Sequence, residues 1–378
     1  MKQKLENISL MKSGINNMFD SRHYVPMLKW KRSEQGALKA LAEEHKKHIT
    51  PLIQFVMPKY KLHEQFEDIV ARAEKQMLQI PEKLIEVWGR TPIFVDVSLL
   101  FTTPLKVESL SIVLREGHKL GGTFIPAIYL NDDQEIKKAA YSLAQETRSG
   151  ICLRLICSDF SDLIKLNQDI ANLLSSSGLG EKNIDLLVDI KETEENGNKC
   201  TKYLNLSQRI PNLLKWRTFI FASGSFPEDL SKCKFDEENL IPRTDWNIWK
   251  DCVESKKLQR NPAFADYTIQ HPIYKEASQF FHPTSSIKYT LENEWLIMKG
   301  KKQKYELYLA SAAVLVKDRR FYGENFSYGD KYVSEKAKHF KSYINNPAIK
   351  GTGSTETWLR AGINHHLALL AHQTSNLP

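Results

Sequence analysis

Cysteine is scarce: five residues in 378, with no CxxC pair among them. The set is odd in number, which argues against a disulfide framework, and the spacing argues against a zinc knot. No apolar run reaches the roughly 18 to 20 residues that a membrane span needs, and the first twenty residues lack a continuous apolar signal core. The chain therefore reads as soluble and cytoplasmic, with no membrane contact. Also missing are a Walker motif, a dinucleotide glycine fingerprint and a nucleophile elbow, which removes several common enzyme classes.

What remains is a long, moderately apolar chain. With 42% hydrophobic residues it can bury a substantial core. The formal charge of +8 is a mild bias toward anionic partners, acting through long-range attraction.

From Tyr24 onward, short apolar runs recur eight times: YVPMLKW, HITPLIQFV, TPIFVDVS, TFIPAIYL, GICLRLIC, IDLLVDIK, WRTFIFASGS and ADYTIQHP. Polar segments with helical spacing separate them, for example Glu34 to Lys47, Leu62 to Trp88, Pro104 to Leu120, Asp132 to Thr147 and Phe160 to Ser176. Strands alternating with helices call for parallel pairing and right-handed crossovers, and eight such units close a barrel. The fold class that follows is α/β, a TIM-barrel-like (β/α)8 with a C-terminal helical extension. The expected division is an N-terminal arm over 1–21, the barrel over 22–320, and an aromatic loop with helices packing on the barrel over 321–378. After the seventh strand, Pro227, Pro242 and Pro262 mark an excursion beyond a simple helix. SIKYTLENEWLIMKG reads as a hairpin turning at Glu292 to Glu294. The run Gln303 to Lys317 is expected to be the closing helix.

Strand parity then selects site candidates. A barrel strand packs one face on the outer helices, and that face must be apolar, so the charged face lines the interior. In NIDLLVDIK this turns Asp189 and Lys191 inward. It does the same for Asp96 and Arg154. Lys29, Gln54, Tyr129, Ser223 and Gln270 fall on the inner side near strand C-termini, where barrel enzymes keep their chemistry. A slip of one residue would invert any of these assignments. Interior charges must pair, hydrate or hold an anion, so two readings stand side by side: a structural salt-bridge lattice and a working site. In the second, Lys29, Arg154 and Lys191 hold phosphate while Asp96 and Asp189 orient the cations or bind a divalent metal, the one cofactor this reading admits.

Three further stretches bear on the site. FASGSFP places Ser223 and Ser225 just after the seventh strand, where phosphate-binding loops of barrels sit, although any tight turn is also rich in small residues. FYGENFSYGDKY is too irregular for a helix and too aromatic for a free loop; such a segment either stacks a base or sugar or anchors itself. GSTETWLRAGINHHLALLAHQ opens on Ser354 as a helix cap, with Leu359, Ile363, Leu367 and Leu370 as its apolar stripe. His365 and His366, being consecutive, cannot readily share a metal, and hydrogen bonds from Asn364 and one histidine docking the tail on the barrel mouth are the competing role.

YVPMLKWKRSEQGAL with ITPLIQFV, FYGENFSYGD and TWLRAGINHH resembles the phage-associated Beta protein family, and these pieces bracket almost the whole chain. The resemblance implies a protein of prophages and mobile elements, in conflict between phage and host, without a known reaction. It also implies an acid where this chain has Gln54, which weakens acid-base chemistry at the second strand.

The leading reading is a component of antiviral defence binding a nucleotide or nucleic acid at the barrel mouth through Lys29, Arg154, Lys191, Tyr129, Ser223, Ser225 and Asn364. The enzyme alternative is a metal-dependent phosphodiesterase or nuclease with Asp96, Asp189 and His365 as its catalytic groups. The third is a non-catalytic scaffold for a protein partner encoded by a neighbouring defence gene.

Overall fold

The computed structural model describes residues 19–61, 63–193, 199–235, 237–275, 284–302, 304–346 and 351–377. Most of the arm expected over 1–21 lies outside the described residues. Eight parallel strands form a closed barrel: β1 (Tyr24–Lys29), β2 (Leu52–Gln54), β3 (Ile93–Asp96), β4 (Phe124–Tyr129), β5 (Ile151–Ile156), β6 (Ile184–Glu192), β7 (Thr218–Gly224) and β9 (Ala263–Asp266). Strand β9 closes the ring on β1, with Tyr24 opposite Phe264. Around it stand α1 (Arg32–Lys39), α2 (Phe66–Met77), α3 (Ile80–Trp88), α4 (Thr103–Lys119), α5 (Gln134–Thr147), α6 (Leu163–Ser177), α7 (Lys199–Gln208) and α8 (Thr244–Glu254).

The expected excursion after β7 is a strand, β8 (Asn239–Pro242), which pairs with a hairpin of β10 (Ile287–Thr290) and β11 (Glu294–Met298) in a separate antiparallel sheet. Three helices follow: α9 (Glu306–Leu315), α10 (Tyr328–Asn345) and α11 (Thr355–Ser375). Two sequence expectations need correction here. The eighth barrel strand ends at Asp266, four residues before Gln270, because Thr268 adopts a positive φ of 59° and the chain turns with Gln270 N–H donating to the Tyr267 carbonyl. Nor does the helix at 306–315 close the barrel. It packs against α10 and β10, whereas α11 lies on α1 and β1 and takes the closing position.

Helix α11 starts where its cap predicts, with the Ser354 hydroxyl accepting from Thr357 N–H. It is buried on nearly all sides, so its apolar stripe extends to Trp358, Ala361, Leu369 and Ala371. Gly329 at the start of α10 lets the two helices meet, since a Cβ there would lie 2.2 Å from the Ala361 carbonyl oxygen. Cys200 and Cys252 form a disulfide between α7 and α8, a single cross-link where the cysteine spacing suggests none.

The barrel interior has three layers. At the N-terminal end, Asp185 is held by Arg217 Nε at 2.9 Å and by the Thr218 hydroxyl at 2.8 Å. Val25, Met27, Leu52, Phe94, Ile125, Ala127, Leu187, Ile220 and Ala265 fill the middle. The C-terminal layer is polar and forms the mouth.

Candidate site at the barrel mouth

Parity places Asp96, Arg154 and Asp189 at the C-terminal ends of β3, β5 and β6, and the structure brings them into contact. Arg154 donates through Nη1 to Asp96 Oδ2 at 2.5 Å, and through Nη2 to Asp189 Oδ2 at 2.6 Å and the Tyr267 hydroxyl at 3.0 Å. Nε also reaches Asp189, at 3.1 Å. Gln54 Nε2 shares Asp96 Oδ2 with Arg154, and the other carboxylate oxygens accept from the Ser98 and Lys191 backbone N–H groups and the Tyr267 hydroxyl. All three ionic side chains are inaccessible to solvent. Burial by itself would raise the Asp189 carboxyl, yet Arg154 and Lys191 hold it below the ordinary carboxylate range. Tyr129 covers the assembly, with the Arg154 guanidinium 5.1 Å from its ring centre.

This is the salt-bridge lattice. Four of the five guanidinium N–H groups are engaged within it and Arg154 is inaccessible to solvent, so Arg154 is not presented to a phosphate, and Asp96 and Asp189 would have to release Arg154 to take a metal. Among the described residues, no three of His, Cys, Asp and Glu gather as a metal-binding set. The carboxylates present thus do not fit a divalent ion in this arrangement.

Lys191 leans out of the lattice. Its ammonium lies 3.0 Å from both Asp189 Oδ2 and the Tyr267 hydroxyl, its side chain is 37% exposed, and its φ of 63° is left-handed. Lys29 differs from every other cation of the mouth. At the end of β1 it is 2% exposed, and it has no hydrogen-bond or ion-pair partner among the described residues. The faces of Tyr267 and Tyr274 approach its ammonium, at 5.3 and 5.8 Å from the ring centres. Loss of hydration pushes Lys29 down to about 8, with Lys191, Lys31 and Arg154 adding repulsion and Glu34 opposing it. Glu34, in the first turn of α1, is also buried. Its Oε1 accepts from Gln270, its Oε2 has no partner, and burial raises its carboxyl.

Lys29 opens onto a cleft of about 650 Å³ between the barrel mouth and the three-stranded sheet. Lys31, Lys275, Lys288, Lys299 and Lys302 also line it, against the carboxylates of Glu228 and Asp229. Asp96, Arg154 and Asp189 do not reach its wall.

Other predicted site residues lie elsewhere. Ser223 points outward, its hydroxyl 2.8 Å from that of Tyr203 in α7, opposite to its expected inner side. Strand β7 is apolar on both faces, so its alternation does not reveal which is inner; Phe219 and Phe221 in fact join the outer core while Ile220 and Ala222 face the lumen. Ser225 donates to Asp245 Oδ1 near the start of α8, at 2.7 Å. Asn364 bridges the Gly329 N–H and the Ala37 carbonyl, docking α11 on α1 and α10. His365 is buried between Asp330, at 2.8 Å from Nδ1, and the Thr290 carbonyl, at 2.8 Å from Nε2, so the structure does not bring it to Asp96 or Asp189.

The aromatic segment 321–330 anchors itself. Tyr322 and Phe326 pack on His365, and Asp330 accepts from Tyr289, at 2.7 Å. A second buried network is not visible in the sequence: Asp266 accepts from the Tyr24 hydroxyl at 2.5 Å and from His366 Nε2 at 2.9 Å, while Thr290 lies 3.0 Å from His366 Nδ1.

The model of a family described as Beta protein matches residues 24–372, and the chain belongs to that family. No curated protein matches it significantly. Among solved structures, a GH138 enzyme targeting pectin rhamnogalacturonan II is 8% identical with a TM-score of 0.35, the match covering 75% of this chain and 37% of that one. This chain therefore spans little more than a third of that protein's length. No helix among the described residues is long and apolar enough to cross a membrane.

Proposed function

We propose that this member of the Beta protein family binds an anionic, phosphate-bearing ligand in the cleft at the C-terminal mouth of its barrel. The observation that carries this reading is Lys29. A lysine only 2% exposed, with no carboxylate or hydrogen-bonding partner among the described residues, is costly in the free protein, and an anion entering the cleft onto which it opens offsets that cost. Lys191, whose ammonium lies over the same Tyr267 ring as that of Lys29, at 5.2 and 5.3 Å from its centre, is not part of the cleft wall and belongs with the lattice of Asp96, Arg154 and Asp189 beneath it. Ligand contact thus passes to Lys29, and Arg154 and Lys191 become positioning residues.

The biological setting we assign is conflict between phage and host, with a nucleotide or nucleic-acid end as the ligand; its support is the family resemblance together with the basic cleft. Sulfate and inorganic phosphate serve as probes. Thermal denaturation of the wild type should shift upward in either salt beyond the shift in chloride, and Lys29→Met should lose that difference. An equal shift in both proteins would overturn the reading.

A further inference from the structure

Lys288 is a second, half-buried cation that nothing in the strand pattern of the barrel brings forward. It lies on β10 between Ile287 and Tyr289, which are 4% and 2% exposed, so period-two alternation turns it away from the core those residues share. Its ammonium sits 4.5 Å from the ring centre of Phe226 and donates to the Ile269 carbonyl at 3.2 Å. Phe226 follows β7 and Ile269 follows β9, so a lysine of the small sheet is held against loops of the barrel mouth. No carboxylate pairs with it among the described residues, and burial pushes it down to about 8. An ammonium has three donors, and one is used here.

Lys29 and Lys288 line the same cleft. The two acids on its wall are already engaged, Glu228 with Lys275 at 2.6 Å and Asp229 with the Ser231 N–H at 2.7 Å. A ligand with one anionic group can neutralise one of these two lysines. We infer that the ligand carries two linked anionic groups, of the diphosphate class, one held by Lys29 at the end of the first barrel strand and the other by Lys288 on the three-stranded sheet. This rests on the anion-binding reading above and adds to it the second anchor and the ligand class.

The wall also disfavours a nucleic-acid strand. About 650 Å³ falls in the range of small-molecule sites, roughly 300–1,000 Å³. Strand binders offer open aromatic faces to successive bases. Here Tyr308 and Trp358 stack on each other at 4.8 Å, and Lys29 and Lys31 both lie over the ring of Tyr274.

Calorimetric titration of the full chain with inorganic phosphate, inorganic pyrophosphate and a short single-stranded oligodeoxynucleotide tests this. Pyrophosphate should bind at one site at least about tenfold more tightly than phosphate, since it adds a second charge-assisted contact. Lys288→Met and Lys29→Met should each bring pyrophosphate down to the level of phosphate, and Lys288→Arg should retain most of the advantage. Equal binding of phosphate and pyrophosphate by the wild type, or pyrophosphate binding unaffected by Lys288→Met, overturns the two-point ligand while leaving Lys29-dependent phosphate binding intact. Oligonucleotide binding tighter than pyrophosphate overturns the ligand class. Absence of all three removes both readings.

Discussion

Lys29 and Lys288 stand in two different sheets and line one cleft, and neither has a carboxylate partner among the described residues. Both are pushed down to about 8 by loss of hydration. Their charge therefore titrates near neutral pH, and binding of an anion must titrate with it. Sulfate, which holds a constant charge over this range, should bind roughly tenfold more weakly at about pH 9 than at about pH 7. Titration at a series of pH values checks this; a flat profile would exclude the two lysines as ligands.

The same condition makes the site costly to the ligand-free protein. A lysine whose folded value lies below the unfolded one binds fewer protons when folded, so stability should rise as pH rises from about 8 to about 10.5. Lys29→Met, which removes the buried charge and keeps an apolar chain of similar length, should stabilise the apo form by about 1–3 kcal/mol while losing the stabilisation by sulfate. Chemical denaturation at neutral pH measures it.

The Arg154 lattice predicts the opposite balance. Arg154→Leu leaves Asp96 and Asp189 buried without their counter-ion and should cost about 3–5 kcal/mol. Asp189→Asn should cost stability as well. It should change phosphate affinity by less than about threefold, because Asp189 does not reach the cleft wall. A folded Asp189→Asn protein that loses anion binding altogether would return the carboxylate to the ligand site.

At the closing helix, Asp266 holds His366 while burial lowers the imidazole below its ordinary value, with Asp266 opposing. A histidine held neutral when folded gains no proton as the pH falls through about 6.5, whereas the unfolded one does, so stability declines on acidification. Asp266→Asn, which keeps the shape and removes the charge, should destabilise the protein by about 2–4 kcal/mol and steepen this acid loss. Urea denaturation at about pH 7 and about pH 5 separates the two effects.

The barrel itself is legible because charges interrupt otherwise apolar strands. Parity alone turns Asp96, Arg154 and Asp189 inward, and they meet as parity requires. Where both faces are apolar, as on β7, the alternation is silent, and parity puts Ser223 on the wrong side. The segment at 306–315 has the helical spacing expected of a closing helix, but spacing does not say which surface a helix covers, and the closing position belongs to α11. Lys288 carries a signal, standing between Ile287 and Tyr289 in a hairpin strand, but its proximity to Lys29 depends on how the small sheet packs on the mouth. Whether a buried cation has a partner depends on side chains brought together from distant segments, such as Gln270 on Glu34.

The most direct measurement is the titration of the Lys29 ammonium by NMR of lysine-labelled protein, assigned with Lys29→Met, without and with sulfate. An unpaired ammonium awaiting an anion should titrate near 8 in the free protein and move up toward ordinary lysine values when sulfate is present. A midpoint already at the ordinary value and indifferent to sulfate would contradict it.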